Sequence, residues 1–305
     1  MRIGIVGAGA MGSVYAALFV EAGHDVVAVD TWAAHVDAVN RHGLSVTGFT
    51  GDRTVPLTAT TEAATAGACD MWVLATKVHN AAEAAASIAP LLRPDDVVVA
   101  IQNGLGAADR LAGAIDREAL LLGVAQGFGA SIVEPGHVHH NGMQMLRLGE
   151  PDGGMTERLR SVEAVWAGAG FPAAAFDDIA QLIWEKFVCN VAVGGPCLVS
   201  GLTAGGLLAS DEWRAVAMGC ATEAYEVGRA LGVEFSYPDP VAYVDAFVAR
   251  VPHAKPSMLQ DHEARRPSEV DAINGQVPRL ARRLGITTPH NDAVCAQVAE
   301  LEARY

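Results

Sequence analysis

A chain of 305 residues with 51% hydrophobic and 18% charged side chains can bury a large core, in two domains at roughly 150 residues apiece, and is neither disordered nor collagen-like in composition. Its 21 Lys+Arg against 35 Asp+Glu, a formal charge of −14, argue against general binding to nucleic acid or anionic membranes, both of which need a basic surface. Five cysteines (Cys69, Cys189, Cys197, Cys220, Cys295) lie far apart with no CxxC pair, so buried thiols in a reducing cytoplasm are expected rather than disulfides or a zinc knuckle.

The opening stretch MRIGIVGAGAMG has glycines breaking its apolar run and no cleavage-like segment after it, which is not a secretory layout. Short β-branched runs predict strands over 3–6, 26–30, 71–75 and 97–101, with weaker ones over 45–47 and 53–57. Between them lie helical stretches over 11–22, 32–42 and 80–88, and another starting at 104. Such alternation is the signature of a parallel sheet covered on both faces. After Leu120 the pattern loosens into Gly-rich strand-like pieces over 138–144 and 145–149, followed by a helix over 156–167.

From about Asp177 the β-branched runs give way to helical periodicity, predicting helices over 179–193, 210–231, 240–251 and 269–284. The shift sets a boundary near Ala175. The expected architecture is an α/β protein: a Rossmann-type, doubly wound parallel sheet over 1–175 and an all-helical domain over 176–305. No charged residue stands between Lys186 and Asp211, a length sufficient to cross a bilayer. Gly194-Gly195-Pro196 interrupts that window, and a continuous lipid-exposed helix does not accommodate such a break. A buried helix, a break and a second buried segment are expected there.

Gly7-Ala8-Gly9-Ala10-Met11-Gly12 follows a predicted strand and opens a predicted helix. In such a turn the first glycine allows the bend and the second lets a pyrophosphate approach the backbone. The third lets helix and strand pack closely, and the free N–H groups of the helix start face the phosphates. Asp30 ends the second strand about 20 residues on, where a carboxylate accepts hydrogen bonds from a ribose 2′-hydroxyl and repels a 2′-phosphate. It is also placed to cap the helix that follows. Lys77 and Asn103-Gly104 each follow a predicted parallel strand, on the side where open α/β sheets bind ligands. A solvated loop charge and simple turn chemistry are the alternatives.

Along 179–193, Ile179, Leu182, Ile183, Lys186, Asn190 and Val193 share one helix face. Lys186 and Asn190 are thus a polar i, i+4 pair inside an apolar stripe. A desolvated ammonium is costly unless compensated, and is readily tuned for proton transfer. A lysine snorkelling from the edge of the stripe has the same periodicity. Ser257 and Ser268-Glu269 read as helix N-termini. His137, His139 and His140 lack an acidic or cysteine partner at ligand spacing, so no metal is expected.

GAGAMG at 7–12, ATK at 75–77, QNGLG at 102–106, WEKFVCN at 184–190, and PSMLQD with SEVDAINGQV at 256–277 together resemble the ketopantoate reductase (2-dehydropantoate 2-reductase) family, over nearly the whole chain and in the right order. The resemblance implies a cytoplasmic oxidoreductase of pantothenate biosynthesis that transfers hydride from a nicotinamide cofactor to the carbonyl of a 2-keto acid. It also implies Lys186 as general acid, Glu269 as a substrate-positioning catalytic residue, and Asn103, Asn190 and Ser257 as substrate-binding residues. Residues 7–12, Asp30, Lys77 and Asn103 would bind the cofactor.

Two positions depart from the family pattern. Asp30 stands where a basic residue usually holds the NADP 2′-phosphate, which points to NAD with NADP as the alternative. Gly194 stands where a second substrate-side asparagine is usual, which points to an altered pocket. A 2-hydroxy acid dehydrogenase with another substrate and a non-catalytic dinucleotide-binding regulator are the rival readings. The expected partners are a small 2-keto or 2-hydroxy acid and a second copy in a homodimer, with neither nucleic acid nor membrane.

Overall fold

The computed structural model describes residues 1–305, which divide into two compact units: Met1–Gln102 with Gly106–Ile179, and Asn103–Leu105 with Ala180–Tyr305. The chain thus passes between units at Ile179, beyond the expected residue 175. The residues between belong to the first unit's sheet edge: the Phe176 N–H bonds the Leu148 carbonyl at 2.8 Å, and the Asp177 carbonyl accepts from the Gly154 N–H at 2.9 Å.

The first unit contains twelve strands: β1 (Arg2–Val6), β2 (Asp25–Val29), β3 (Leu44–Gly48), β4 (Arg53–Val55), β5 (Thr58–Thr60), β6 (Met71–Leu74), β7 (Val97–Ala100), β8 (Leu120–Gln126), β9 (Gly129–Glu134), β10 (His137–Gly142), β11 (Met145–Gly149) and β12 (Ala173–Ala175). Its helices are α1 (Ala10–Glu21), α2 (Ala33–His42), α3 (Ala63–Ala66), α4 (Ala81–Ile88), α5 (Ala107–Leu111) and α6 (Glu157–Gly168). Eight strands form one sheet in the order β12-β11-β8-β7-β6-β1-β2-β5. It is parallel from β5 to β8, and β11 then runs antiparallel to β8. The central strands are buried on both faces, which is why they read as unbroken apolar runs instead of alternating ones. The chain builds outward from β1 in one direction through β2 and β5, then returns to β1's other side for β6, β7 and β8. That reversal at β1 and β6 makes a topological switch point, where such sheets bind ligands.

A second, four-stranded sheet has the order β4-β3-β10-β9. The strands β5, β8, β9 and β12 and the one-turn helix α3 were not individually expected from the sequence. Of these, β5, β9, β12 and α3 are short or sit at sheet margins, where apolar patterning is weakest, whereas β8 is an interior strand between β7 and β11. Tyr15, Phe19, Trp166 and Phe171 pack against one another in this unit's core, edge-to-face or tilted, with centroids 4.6–5.9 Å apart.

The second unit is helical: α7 (Ile179–Ser200), α8 (Ala204–Ala209), α9 (Asp211–Ala230), α10 (Pro240–Arg250), α11 (Ser257–Glu263), α12 (Gln276–Leu284) and α13 (Pro289–Glu302). Three differences from the sequence reading appear here. First, α7 does not stop before Gly194-Gly195-Pro196 but runs through Pro196 to Ser200. It is long and apolar enough to cross a bilayer, yet 67% of its most apolar window is buried in this unit, and Phe187, Val188, Val191, Ala192 and Leu198 join the unit's core. Second, the single helix expected over 269–284 is a 3₁₀ turn at Val270–Ala272 and then α12. Ile273 (φ −112°, ψ −98°) leaves helical geometry between them. Third, α13 was not foreseen, although Pro289 at its first turn is a favourable start.

Candidate active site

The glycine loop has the three roles its spacing predicts. At Gly7 the backbone adopts φ +88°, and a Cβ would stand 2.7 Å from the Thr76 backbone nitrogen; only glycine fits. At Gly12 a Cβ would stand 2.1 Å from the Gly7 carbonyl oxygen, so the first turn of α1 packs directly on the loop. At Gly9 a Cβ would meet nothing within 4 Å, which leaves the approach to the start of α1 open. Gly9 caps α1 without a side-chain hydrogen bond, and the first N–H groups of a helix have no intrahelical partner. Thr76 Oγ1 is a buried hydroxyl without a partner, on the residue that packs against Gly7. Open cradle, helix start and orphaned hydroxyl fit a dinucleotide pyrophosphate.

The loop is braced from below. Ser13 Oγ donates to the Ala8 carbonyl at 2.8 Å and lies 3.3 Å from His35 Nε2. The Gly136 N–H donates to His35 Nδ1 at 3.1 Å, so the neutral tautomer carries its proton on Nε2 and donates to Ser13. Burial lowers the His35 pKa, against a smaller raising effect of Asp30. The ring is therefore uncharged at neutral pH. The exposed Trp32 indole stacks on it at 5.3 Å and 21°.

Asp30 follows β2. Its Oδ1 accepts the Trp32 N–H at 2.9 Å, and its own N–H bonds the Thr60 carbonyl at 3.1 Å. The expected capping contact thus exists in part, since Trp32 is the residue that caps α2. Arg41, the nearest Lys or Arg along the chain, lies in the last turn of α2 and pairs with Asp37 at 3.4 Å. Lys77 is half-buried and immediately precedes the 3₁₀ turn Val78–Asn80 beyond β6.

In the second unit, Lys186 Nζ donates to Asn103 Oδ1 at 2.9 Å. This contact explains why three residues far upstream belong with the helices. Gly104 (φ +83°) lies so close to the Ala272 carbonyl that a Cβ would stand 2.3 Å from its oxygen, and Gln276 Nε2 donates to the Leu105 carbonyl at 3.5 Å. The segment is thereby clasped by the turn that follows Glu269. Glu269 is only 5% exposed. Lys186 and Asn190 are both half-buried, one turn apart on α7. Snorkelling to bulk water does not describe a lysine whose ammonium is bonded to a clasped asparagine.

Asn190 and Gly194 line a cavity of about 120 Å³ together with Val193, Phe247, Val251, Ser257, Met258 and Ile273, among others. Ser257 does not cap α11 as expected; Pro256 occupies the cap and Ser257 is the first helical residue. Its side chain belongs to the cavity wall.

One residue that sequence reasoning missed organises this region. Asn274 is fully buried, and its carboxamide enters α7 where the glycines stand. Asn274 Oδ1 accepts the Gly195 N–H at 3.2 Å, and Asn274 Nδ2 donates to the Val191 carbonyl at 2.9 Å and to Asn291 Oδ1 at 3.0 Å. Val191 and Gly195 are i and i+4, the pair that closes one rung of an ordinary helix. Asn274 bridges that rung one residue before Pro196, which has no N–H to give. A Cβ on Gly195 would stand 2.7 Å from Asn274 Oδ1, so glycine is what admits the wedge. Asn274-Gly275 is a turn dipeptide, and that was the available signal for the break before α12.

The histidines of β10 bond locally. His137 Nε2 and His139 Nδ1 lie 3.2 and 3.1 Å from Thr47 Oγ1, and His140 Nδ1 lies 3.0 Å from Thr50 Oγ1. All five cysteines are unbridged, and burial pushes the Cys189 and Cys197 thiols up to about 12.

Residues 3–153 match the family Ketopantoate reductase PanE/ApbA, and residues 178–302 match Ketopantoate reductase PanE/ApbA C terminal. The 2-dehydropantoate 2-reductase of Mesorhizobium japonicum is 33% identical over 320 residues, covering 99% of this chain and 98% of that protein. The 2-dehydropantoate 2-reductase of Archaeoglobus fulgidus is 30% identical over 303 residues, covering 99% and 98%. Among solved structures, D-mandelate dehydrogenase with NADH and anilino(oxo)acetate superposes with a TM-score of 0.93 at 25% identity, covering 100% of this chain and 99% of that one. The ketopantoate reductase of Ralstonia eutropha superposes with a TM-score of 0.91 at 28% identity, with the same coverage.

Proposed function

We propose that this chain, which belongs to the ketopantoate reductase family, reduces the carbonyl of a 2-keto acid, ketopantoate or a close analogue, to the 2-hydroxy acid, with Lys186 as the proton donor. The observation that carries the assignment is the Lys186–Asn103 hydrogen bond of 2.9 Å, formed by a half-buried lysine on a helix face that is apolar apart from Asn190.

A reduced nicotinamide, when bound, supplies the hydride. The residues that would hold its dinucleotide are 7–12, with Gly9 at the open approach, and Asp30 and Lys77. Asp30 favours NADH over NADPH. Its carboxylate suits a ribose diol and faces a 2′-phosphate with like charge; Arg41 is engaged by Asp37 and His35 is neutral. D-mandelate dehydrogenase, the NADH complex whose fold this chain shares, supports the same preference.

Hydride addition to a carbonyl carbon places negative charge on the carbonyl oxygen, and a proton delivered there by Lys186 completes the alcohol. An ammonium has three N–H donors. Asn103 accepts one of them and so fixes the direction of the others. Asn190 lies one turn along the same face and is placed for the substrate's polar end. Glu269, buried in the turn that clasps Asn103–Leu105, positions the substrate by hydrogen bonding. General acid catalysis of this kind contributes about 10²–10⁴-fold. The reading is tested by following NADH oxidation with 2-keto acids in wild type and Lys186→Ala. Turnover of none of them by the wild type would overturn it.

A further inference from the structure

We infer that the cavity beside Asn190 receives the side chain of the 2-keto acid, and that this side chain is apolar (branched aliphatic or aryl) instead of hydroxylated. The inference rests on the reductase reading above and names its substrate class. Lys186, Asn190 and Gly194 stand at i, i+4 and i+8 on α7, one face of the helix, over roughly 12 Å at 1.5 Å rise per residue. A keto acid whose carbonyl oxygen meets Lys186 Nζ therefore has one direction along the helix that passes Asn190 and reaches Gly194.

What it meets there is mostly hydrocarbon. Val193, Phe247, Val251, Met258 and Ile273 line the cavity, with Asn190 and Ser257 as its polar side chains. Asn190 is the one nearer to Lys186 along the helix and is assigned to the keto acid head that every candidate substrate shares. That leaves the exposed Ser257 hydroxyl as the one polar side chain in the remaining wall. The volume of about 120 Å³ is of the order of the roughly 150 Å³ apolar cavity that accommodates benzene in a protein core. Gly194 lets Met258 close onto the helix: a Cβ there would stand 2.9 Å from Met258 Sδ, so thioether hydrocarbon forms the wall where a side chain at 194 would otherwise stand. An asparagine at this position would both fill space and offer a carboxamide to a substrate hydroxyl.

A site built to hydrogen-bond a substrate hydroxyl rejects the analogue lacking it by about 10⁴–10⁵-fold, whereas a hydrophobic wall discriminates weakly. The decisive pair is ketopantoate and 3,3-dimethyl-2-oxobutanoate, which differ by that hydroxyl alone, with phenylglyoxylate as the aryl probe. The wild type is expected to use 3,3-dimethyl-2-oxobutanoate with a kcat/KM within about tenfold of ketopantoate's or above it, and to reduce phenylglyoxylate. Gly194→Asn is expected to move the ratio toward ketopantoate. Val251→Thr adds a hydroxyl to the same wall at nearly constant volume, and serves where the bulkier variant fails to fold. A wild-type preference for ketopantoate of more than about tenfold, or a ratio unchanged in a folded variant, overturns the inference and leaves the reductase reading standing. Absence of turnover with every acid overturns both.

Discussion

Replacing Asn274 by alanine should loosen the second unit by an amount that its hydrogen bonds define. The side chain makes three bonds, to the Gly195 N–H, the Val191 carbonyl and Asn291 Oδ1, at 3.2, 2.9 and 3.0 Å, with none of its surface exposed. A typical buried hydrogen bond contributes about 1 kcal/mol net, and an orphaned buried partner costs about 1–3 kcal/mol. Relaxation of α7 can re-pair Gly195 with Val191, since they are i+4 neighbours, but it leaves Asn291 Oδ1 without this donor. The balance is a loss of about 3 kcal/mol, or roughly 6–12 °C in Tm at 2–4 °C per kcal/mol. Thermal unfolding followed by far-ultraviolet circular dichroism measures it. Because Asn274 ties the turn after Glu269 to the helix carrying Lys186 and Asn190, KM for the keto acid should rise more than kcat falls. An Asn274→Ala protein that melts within about 2 °C of wild type, below the shift expected for a single kcal/mol, would refute the wedge as a structural support.

Asp30→Ala should erase much of a wild-type preference for NADH, read as the ratio of kcat/KM for NADH and NADPH; a wild type that prefers NADPH would show that the carboxylate does not govern the choice. Stability should fall on mild acidification, because His35 and His140 are fully buried and their pKa values are lowered from 6.5, in both cases chiefly by burial. Below pH 6.5 the unfolded chain binds protons that the folded one refuses, so this contribution is complete above that pH and is lost as pH drops toward the folded values, at up to about 1.4 kcal/mol per pH unit for each ring. A Tm equal at pH 7.5 and 5.5 would contradict it.

The first unit was legible in the sequence because its central strands are buried on both faces and its glycine turn has a local mechanism. Gly7, Gly9 and Gly12 each meet the surroundings their spacing implies. Less was visible where distant residues decide. Gly194-Gly195-Pro196 reads locally as the end of a helix, and Asn274, about eighty residues on, carries the helix through. The same asparagine, with the Gly275 that follows, splits the helix expected over 269–284. Asn103 read as turn chemistry with a possible ligand; its bond to Lys186 crosses 83 positions of sequence and no periodicity announces it. Phe247, Val251 and Met258 line the cavity with Gly194 from α10, its C-terminal end and α11, so the cavity has no pattern of its own in the chain.

The central claim is that Lys186, directed by Asn103, gives the proton that completes carbonyl reduction. Its most direct test is the turnover of Lys186→Ala with saturating 2-keto acid, measured beside the affinity of the same protein for NADH. The account predicts a fall in kcat of about 10²–10⁴-fold with NADH affinity unchanged. A variant that retains turnover within about tenfold of wild type would contradict it.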